Sequence, residues 1–155
     1  MVVAATTLEG VESPVTNEQS RRAEARLLVL RAAPRVLEVR SQGYISRAEL
    51  LRALDDAEAM LTEHPDIDTM LWNTLQHDGH EPGNTNLGMV FHRRHAARFQ
   101  RAAILTHSAP MAALSNVGRA LFPDLAISVF AKRDEAVAWL TRGHSMHGGR
   151  RTRAA

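Results

Sequence analysis

The alternation of apolar and polar positions is most regular between residues 101 and 140. Two short apolar runs, 101–106 and 126–130, are long enough for buried strands and too short for helices. Each is followed by a segment, 110–122 and 134–140, whose apolar residues return every three or four positions. Two parallel strands need such a connection, because the chain must cross over the sheet between them. Near-continuous apolarity also suits strands covered on both faces. The pattern predicts an α/β core.

Upstream, residues 27–30 and 36–40 are two more apolar runs on either side of Ala32-Ala33-Pro34. Proline cannot extend a ladder, so they predict a hairpin whose first strand is antiparallel to the later parallel set. Residues 42–45 are expected to leave the sheet. Ser46-Arg47-Ala48-Glu49 has capping-box spacing and opens a helix ending near Glu63, with Leu50, Leu54, Ala57 and Leu61 as its buried stripe. Residues 69–74 form the next strand. The stretch 76–83 mixes Gly, His, Asp and Pro and is expected to be a loop. Asn84, Thr85 and Asn86 offer N-caps for a helix over 87–98, and Ser108 caps the 110–122 helix with Pro110 in its first turn. The sum is a small mixed sheet of about five strands flanked by about four helices.

Composition narrows the function. A chain of 155 residues is one domain's worth, and the absence of cysteine excludes disulfides, thiolate metal sites and thiol nucleophiles. No basic, apolar leader opens the chain and no run approaches a membrane span, so a soluble, cytoplasmic protein is expected. The first 25 residues set Arg21 and Arg22 against four glutamates and lack apolar periodicity, which predicts a disordered extension over 1–25. The tail from Arg142 has four arginines and no acid, which predicts a flexible basic tail over 142–155 beyond a domain at 26–141. Charges in between balance. A domain without a basic face argues against nucleic acid as partner. Arg93, Arg94, Arg98 and Arg101 make the one basic cluster inside it, read as a solvated face or, in the minority reading, a contact for an acidic partner.

In an open α/β sheet, ligands bind outside the carboxyl ends of the strands. That edge gathers the segment after Thr74, the Thr106-His107-Ser108 turn and the link after Phe130. Asn73, His77, Thr85, Asn86, His107 and Ser108 are the candidate residues for a ligand or partner there. The rival reading is a small metal-dependent hydrolase in which His77, His80 and His107 converge, with Asp78 and Glu81 nearby, since three such ligands and an open position suit zinc. His92 and His95, three apart, could share a helical face. No H-E-x-x-H, no G-x-S-x-G and no Gly-rich phosphate loop is present, and no cofactor is expected. Trp72 and Trp139 lie within apolar elements and are assigned to the core; Tyr44 is given a structural role.

A short strand, a helix, Ile127-Ser128-Val129-Phe130, a polar link and Glu135-Ala136-Val137-Ala138-Trp139-Leu140 resemble the C-terminal half of the SpoIIAA-like, STAS-type family. Val36-Leu37-Glu38-Val39, Gly43 and the helix opening at Ser46 are similar to its first half, so the resemblance spans residues 27–141. It implies a small α/β sandwich acting as a non-catalytic interaction or small-ligand module, with a regulatory protein or a small apolar or anionic ligand as partner. A homodimer is compatible with it. Two positions depart from the family's pattern. Trp72-Asn73-Thr74 stands where members often have an acidic residue, and Thr85-Asn86 replaces the Asp-Ser pair of phosphorylated members, leaving Thr85 as the stand-in.

Overall fold

The computed structural model describes residues 25–142; the expected N-terminal extension and nearly all of the basic tail lie outside them. The chain runs β1 (Arg26–Ala33), β2 (Val36–Ile45), α1 (Arg47–Glu63), β3 (Thr69–His80), α2 (Asn84–Arg94), β4 (Arg101–Leu105), α3 (Ala109–Leu121), β5 (Ala126–Phe130) and α4 (Arg133–Thr141). The strands lie in chain order, with β1 antiparallel to β2 and every other pair parallel. This is the mixed five-stranded sheet that the sequence predicts.

Strand order decides where the helices go. Each right-handed crossover steps to the next strand in the same direction, so α1, α2 and α3 share one face. Their apolar residues pack with Leu37, Val39, Met70 and Ala102 of the sheet. The last helix follows the last strand and folds to the other face, where Ala136 and Leu140 meet Val36, Leu71, Ala103 and Leu105. Side chains alternate along a strand. In β3, Met70 and Trp72 therefore face α1–α3, and Leu71 faces α4.

Local signals explain the well-predicted elements. Ser46 and Glu49 form both halves of the capping box, with the Glu49 amide donating to Ser46 Oγ at 3.2 Å and the Ser46 amide donating to the Glu49 carboxylate at 3.0 Å. Ser108 Oγ accepts from the Met111 amide at the start of α3. The hairpin turns through Pro34 and Arg35, whose φ of 66° is left-handed. The carbonyl of Arg35 then accepts from the amides of Asp68 and Thr69 and from Thr69 Oγ1, tying the turn to the start of β3.

Several boundaries differ from expectation, among them the end of α2, which stops at Arg94 instead of residue 98. Residues 42–45 stay in the sheet, and the stretch expected as a loop is strand as far as His80, because the two pair with each other in parallel. Register slips after Arg40 and after Gly43 absorb the irregularity, and Gly43 (φ 70°) and Gly79 (φ 147°) adopt backbone that other residues avoid. Turn-forming glycines thus serve as bulges. Finally, α2 opens at Asn84 instead of Leu87, behind a left-handed Gly83, and no side chain caps it. The Asn84 amide group reaches back instead to donate to the Ile45 carbonyl at 3.1 Å.

On the α4 face, Glu38 is 0% exposed and accepts from three side chains. Arg133, the first residue of α4, donates at 2.6 and 3.1 Å, Arg40 at 3.0 and 3.1 Å, and Asn73 at 2.9 Å. Burial pushes this carboxyl up, and the hydrogen bonds from Arg133, Asn73 and Arg40 more than reverse it, so its pKa lies below the ordinary value. The cluster clamps the C-terminal helix to the second strand.

Candidate functional site

Small residues meet beneath α2 and α3. Ala102 on β4, Gly88 on α2, and Ser115 and Gly118 on α3 stand where larger side chains would fill the layer. Helix α2 rests on α1, and the side chains of Trp72, Phe91 and His92 lie close together between it and the sheet. The result is a cavity of about 180 Å³ between the sheet and these two helices, reaching the carboxyl ends of β2 and β3. A cavity of roughly 150 Å³ lined by aliphatic and aromatic groups is large enough for benzene.

The walls are overwhelmingly apolar: Leu27, Ile45 and Leu50 on one side, Ile104, Ile127 and Met111 on the other. Polar groups gather at one end. His77 Nε2 lies 3.0 Å from His80 Nδ1, and His80 Nε2 lies 2.9 Å from Thr85 Oγ1, a chain of hydrogen bonds running from late β3 to the first turn of α2. Asn84 joins them on the lining. Burial, then the neighbouring His80, lowers the pKa of His77, and Asp78 opposes this in part. His77 Nδ1 and Asn84 Oδ1 are buried without a partner among the described residues.

His92 forms part of the same lining and is a structural group. Its Nε2 accepts from Trp72 Nε1 at 2.6 Å, which requires the neutral ring with its proton on Nδ1. Burial, with a smaller contribution from His95, lowers its pKa to about 4. His95 does share the helical face, but it turns to Glu58 at 2.9 Å.

The predicted residues separate into two groups. His77 and Thr85 line the cavity with His80. Asn73 points to the opposite face, into the Glu38 cluster, because it is one residue out of phase with Trp72 and Thr74. Asn86, His107 and Ser108 are exposed and outside the lining, Ser108 being taken up by its cap. The three histidines are not brought together: His77 and His80 meet on the lining, His107 lies outside it, and among the described residues no group of three or more His, Asp or Glu is placed to hold a metal. Three of the four clustered arginines are engaged within the domain, while Arg93 is exposed. Arg94 pairs with Glu58, Arg98 donates to the carbonyls of His64 and Ile67, and Arg101 reaches the Trp139 carbonyl while lying over the Trp139 ring.

Sequence reasoning missed Asn84 and Trp72 as lining residues. Asn84 looked like one of three equivalent caps, and nothing in its neighbourhood signalled the reach to Ile45. Trp72 looked like core because one side of it is core.

No curated protein matches the chain. Among solved structures, an uncharacterised protein from Shewanella loihica PV-4 with a SpoIIAA-like fold is similar at a TM-score of 0.64 and 16% identity, over 75% of this chain and 94% of that one. The Bacillus cell-fate determinant SpoIIAA in its phosphorylated form is similar at 0.55 and 14%, over 73% and 97%. The unphosphorylated anti-sigma factor antagonist SpoIIAA gives 0.55 and 14%, over 73% and 96%. These likenesses establish the fold. Among the described residues no helix is long and apolar enough to cross a membrane. The SpoIIAA-like family model matches residues 36–141, most of the folded part, and the chain belongs to that family.

Proposed function

We propose that this chain is a non-catalytic regulatory module that takes a small, largely apolar molecule between its sheet and helices α2 and α3. Its strand-end edge would present the outcome to a protein partner. The apolar cavity at the carboxyl ends of β2 and β3 carries the reading, because it lies where open α/β sheets bind ligands and is built from residues too small to close it. Membership in the SpoIIAA-like family supports the regulatory, protein-binding half, since a structural neighbour is described as an anti-sigma factor antagonist.

Toluene is a suitable first probe. A ligand that binds only the folded state raises its stability with concentration, by about 2.7 kcal/mol at a hundred times Kd. Millimolar toluene should therefore raise the melting temperature of the wild-type chain. A Cβ built on Gly88 meets nothing within 4 Å, so Gly88→Leu should fold, occupy lining space and abolish the toluene shift. Ala102→Val, on the opposite wall, should weaken it. A wild-type chain indifferent to toluene, or a Gly88→Leu chain that responds undiminished, would refute the proposal.

A further inference from the structure

Helix α3 turns one stripe of residues toward the sheet. Met111, Leu114, Ser115, Gly118 and Phe122 recur every three or four positions and all line the cavity, so the side chain at 115 points inward from the middle of that wall. Ser115 is 3% exposed, and its hydroxyl makes no hydrogen bond among the described residues. Thr62 and Thr141 return theirs to the carbonyl four residues back, a common outlet on a helix, and Ser115 does not. Among the described residues, the unbonded polar atoms sealed from any open space are His77 Nδ1 and Asn84 Oδ1. The Ser115 oxygen is not one of them, so it faces open space, and the space beside it is the cavity.

Small size alone does not call for serine here. Ala109, Ala112, Ala113 and Ala120 stand in the same helix, and alanine is smaller, forms helix better and brings no polar group to desolvate. The other hydroxyls at this depth are already committed: Thr74 Oγ1 donates to the Leu105 carbonyl and Ser41 Oγ to the Asn73 carbonyl. Ser115 is left as a free hydroxyl opposite apolar groups such as Ala102, Ile104 and Ile127.

A serine hydroxyl donates one bond and can accept others. In folded proteins orphaned donors are rarer than under-used acceptors, so an unpaired donor is the greater loss. A ligand carbonyl accepts from the O–H and brings no donor of its own, so one contact leaves no donor unpaired. A ligand hydroxyl meeting Ser115 in one bond leaves one of the two O–H groups without an acceptor. A carboxylate would bring a charge among apolar walls with a single hydrogen bond to hold it. A hydrocarbon leaves the serine as it is.

We infer that Ser115 is the polar anchor of the cavity and that the ligand is a small neutral carbonyl compound, a ketone or aldehyde of about one ring. The volume of about 180 Å³ sets that size, since roughly 150 Å³ admits benzene. The inference rests on the reading that the cavity takes a small, largely apolar molecule, and the experiment lets either fail alone.

Cyclohexanone and methylenecyclohexane share a shape and differ in presenting an oxygen or a CH₂ group. Affinities are measured by NMR titration on the Gly88 and Gly118 amides, and the carbonyl stretch of bound cyclohexanone by infrared difference spectroscopy. In the wild-type chain the stretch should lie below its value in a hydrocarbon solvent. Ser115→Ala places a better helix former at the position and should fold. It should weaken cyclohexanone about three- to tenfold, the worth of one neutral hydrogen bond, and change methylenecyclohexane less than about twofold. It should also return the stretch to the hydrocarbon value. Cyclohexanol should bind the wild type more weakly than cyclohexanone. If methylenecyclohexane binds while cyclohexanone does not, or if Ser115→Ala leaves the ketone's affinity and stretch unchanged, the carbonyl assignment is wrong and the cavity stands. Cyclohexanol binding as tightly as cyclohexanone overturns it too. If neither the ketone nor its hydrocarbon analogue binds, the assignment falls, and the cavity reading falls with it when toluene also fails.

Discussion

The sharpest test of how this fold is held together is Glu38→Gln. The carboxylate is fully buried at the boundary between β2 and α4, and it is the anchor for Arg133 at the first position of that helix. Cationic side chains are unfavourable at a helix N-terminus, so Arg133 depends on this partner. Glutamine keeps the shape and removes the charge, turning one oxygen into an NH₂ group facing a guanidinium. Hydrogen bonds to charged groups contribute roughly 1.5–3 kcal/mol each. Arg133 and Arg40 are 37% and 36% exposed, so water screens both and their contributions do not simply add. A loss of about 2 kcal/mol is therefore expected at neutral pH, equivalent to a fall of roughly 8 °C in melting temperature for a domain of this size. The pH dependence separates charge from shape. Because the folded pKa of Glu38 is depressed, its stabilisation is present above the unfolded value near 4.5 and disappears as pH falls through the folded one. Thermal melts at pH 7 and at pH 3 should show the gap between wild type and Glu38→Gln closing in acid. A fall below about 2 °C at pH 7, or a gap that does not change with pH, would refute the reasoning.

Other outcomes follow from the same geometry. His92 is held neutral with a pKa of about 4, so the unfolded chain binds a proton that the folded chain refuses between roughly pH 6.5 and 4; stability should fall by roughly 3 kcal/mol on acidification through that window. Urea melts of wild type and His92→Phe across it check this, the variant losing much of the slope. Ser46→Ala removes the hydroxyl half of the capping box and should cost about 1 kcal/mol by chemical denaturation. Gly88→Ala replaces a mid-helix glycine with open space around it and should raise stability by about 0.5–1 kcal/mol in the same assay. Gly43→Val places a β-branched side chain at a φ of 70° and 3.2 Å from the Ala25 backbone, so it should destabilise measurably where Gly88→Ala stabilises.

The order and type of the elements were legible because each rests on a local cause. Ser46 with Glu49 and Ser108 with Pro110 mark helix starts by hydrogen bonds within four residues, and the apolar runs at 101–106 and 126–130 need only burial. What was hidden depends on partners far along the chain. The strand character of 76–80 exists because 42–45 runs beside it, and neither stretch looks extended alone. Asn73 seemed to belong with the strand-end residues, yet a shift of one position along β3 sends it to the α4 face. The Glu38 clamp joins residues 95 positions apart, and no spacing rule could join them. His77 and Thr85 were found because they sit at the strand ends, where binding edges form. Asn84 was missed because its significance lies in a bond to Ile45.

Strands laid down in the order they are encoded let a growing polypeptide add each layer beside the last, without waiting for distant segments. The exception is the final helix, which returns across the sheet to neutralise an acid placed near the beginning. Until that helix has left the ribosome, Glu38 must stay hydrated or go without one of its two guanidinium partners, so the hairpin remains loose. Completion of the fold is thereby tied to completion of the domain's last helix, and a chain arrested before Arg133 should stay protease-sensitive around its first two strands.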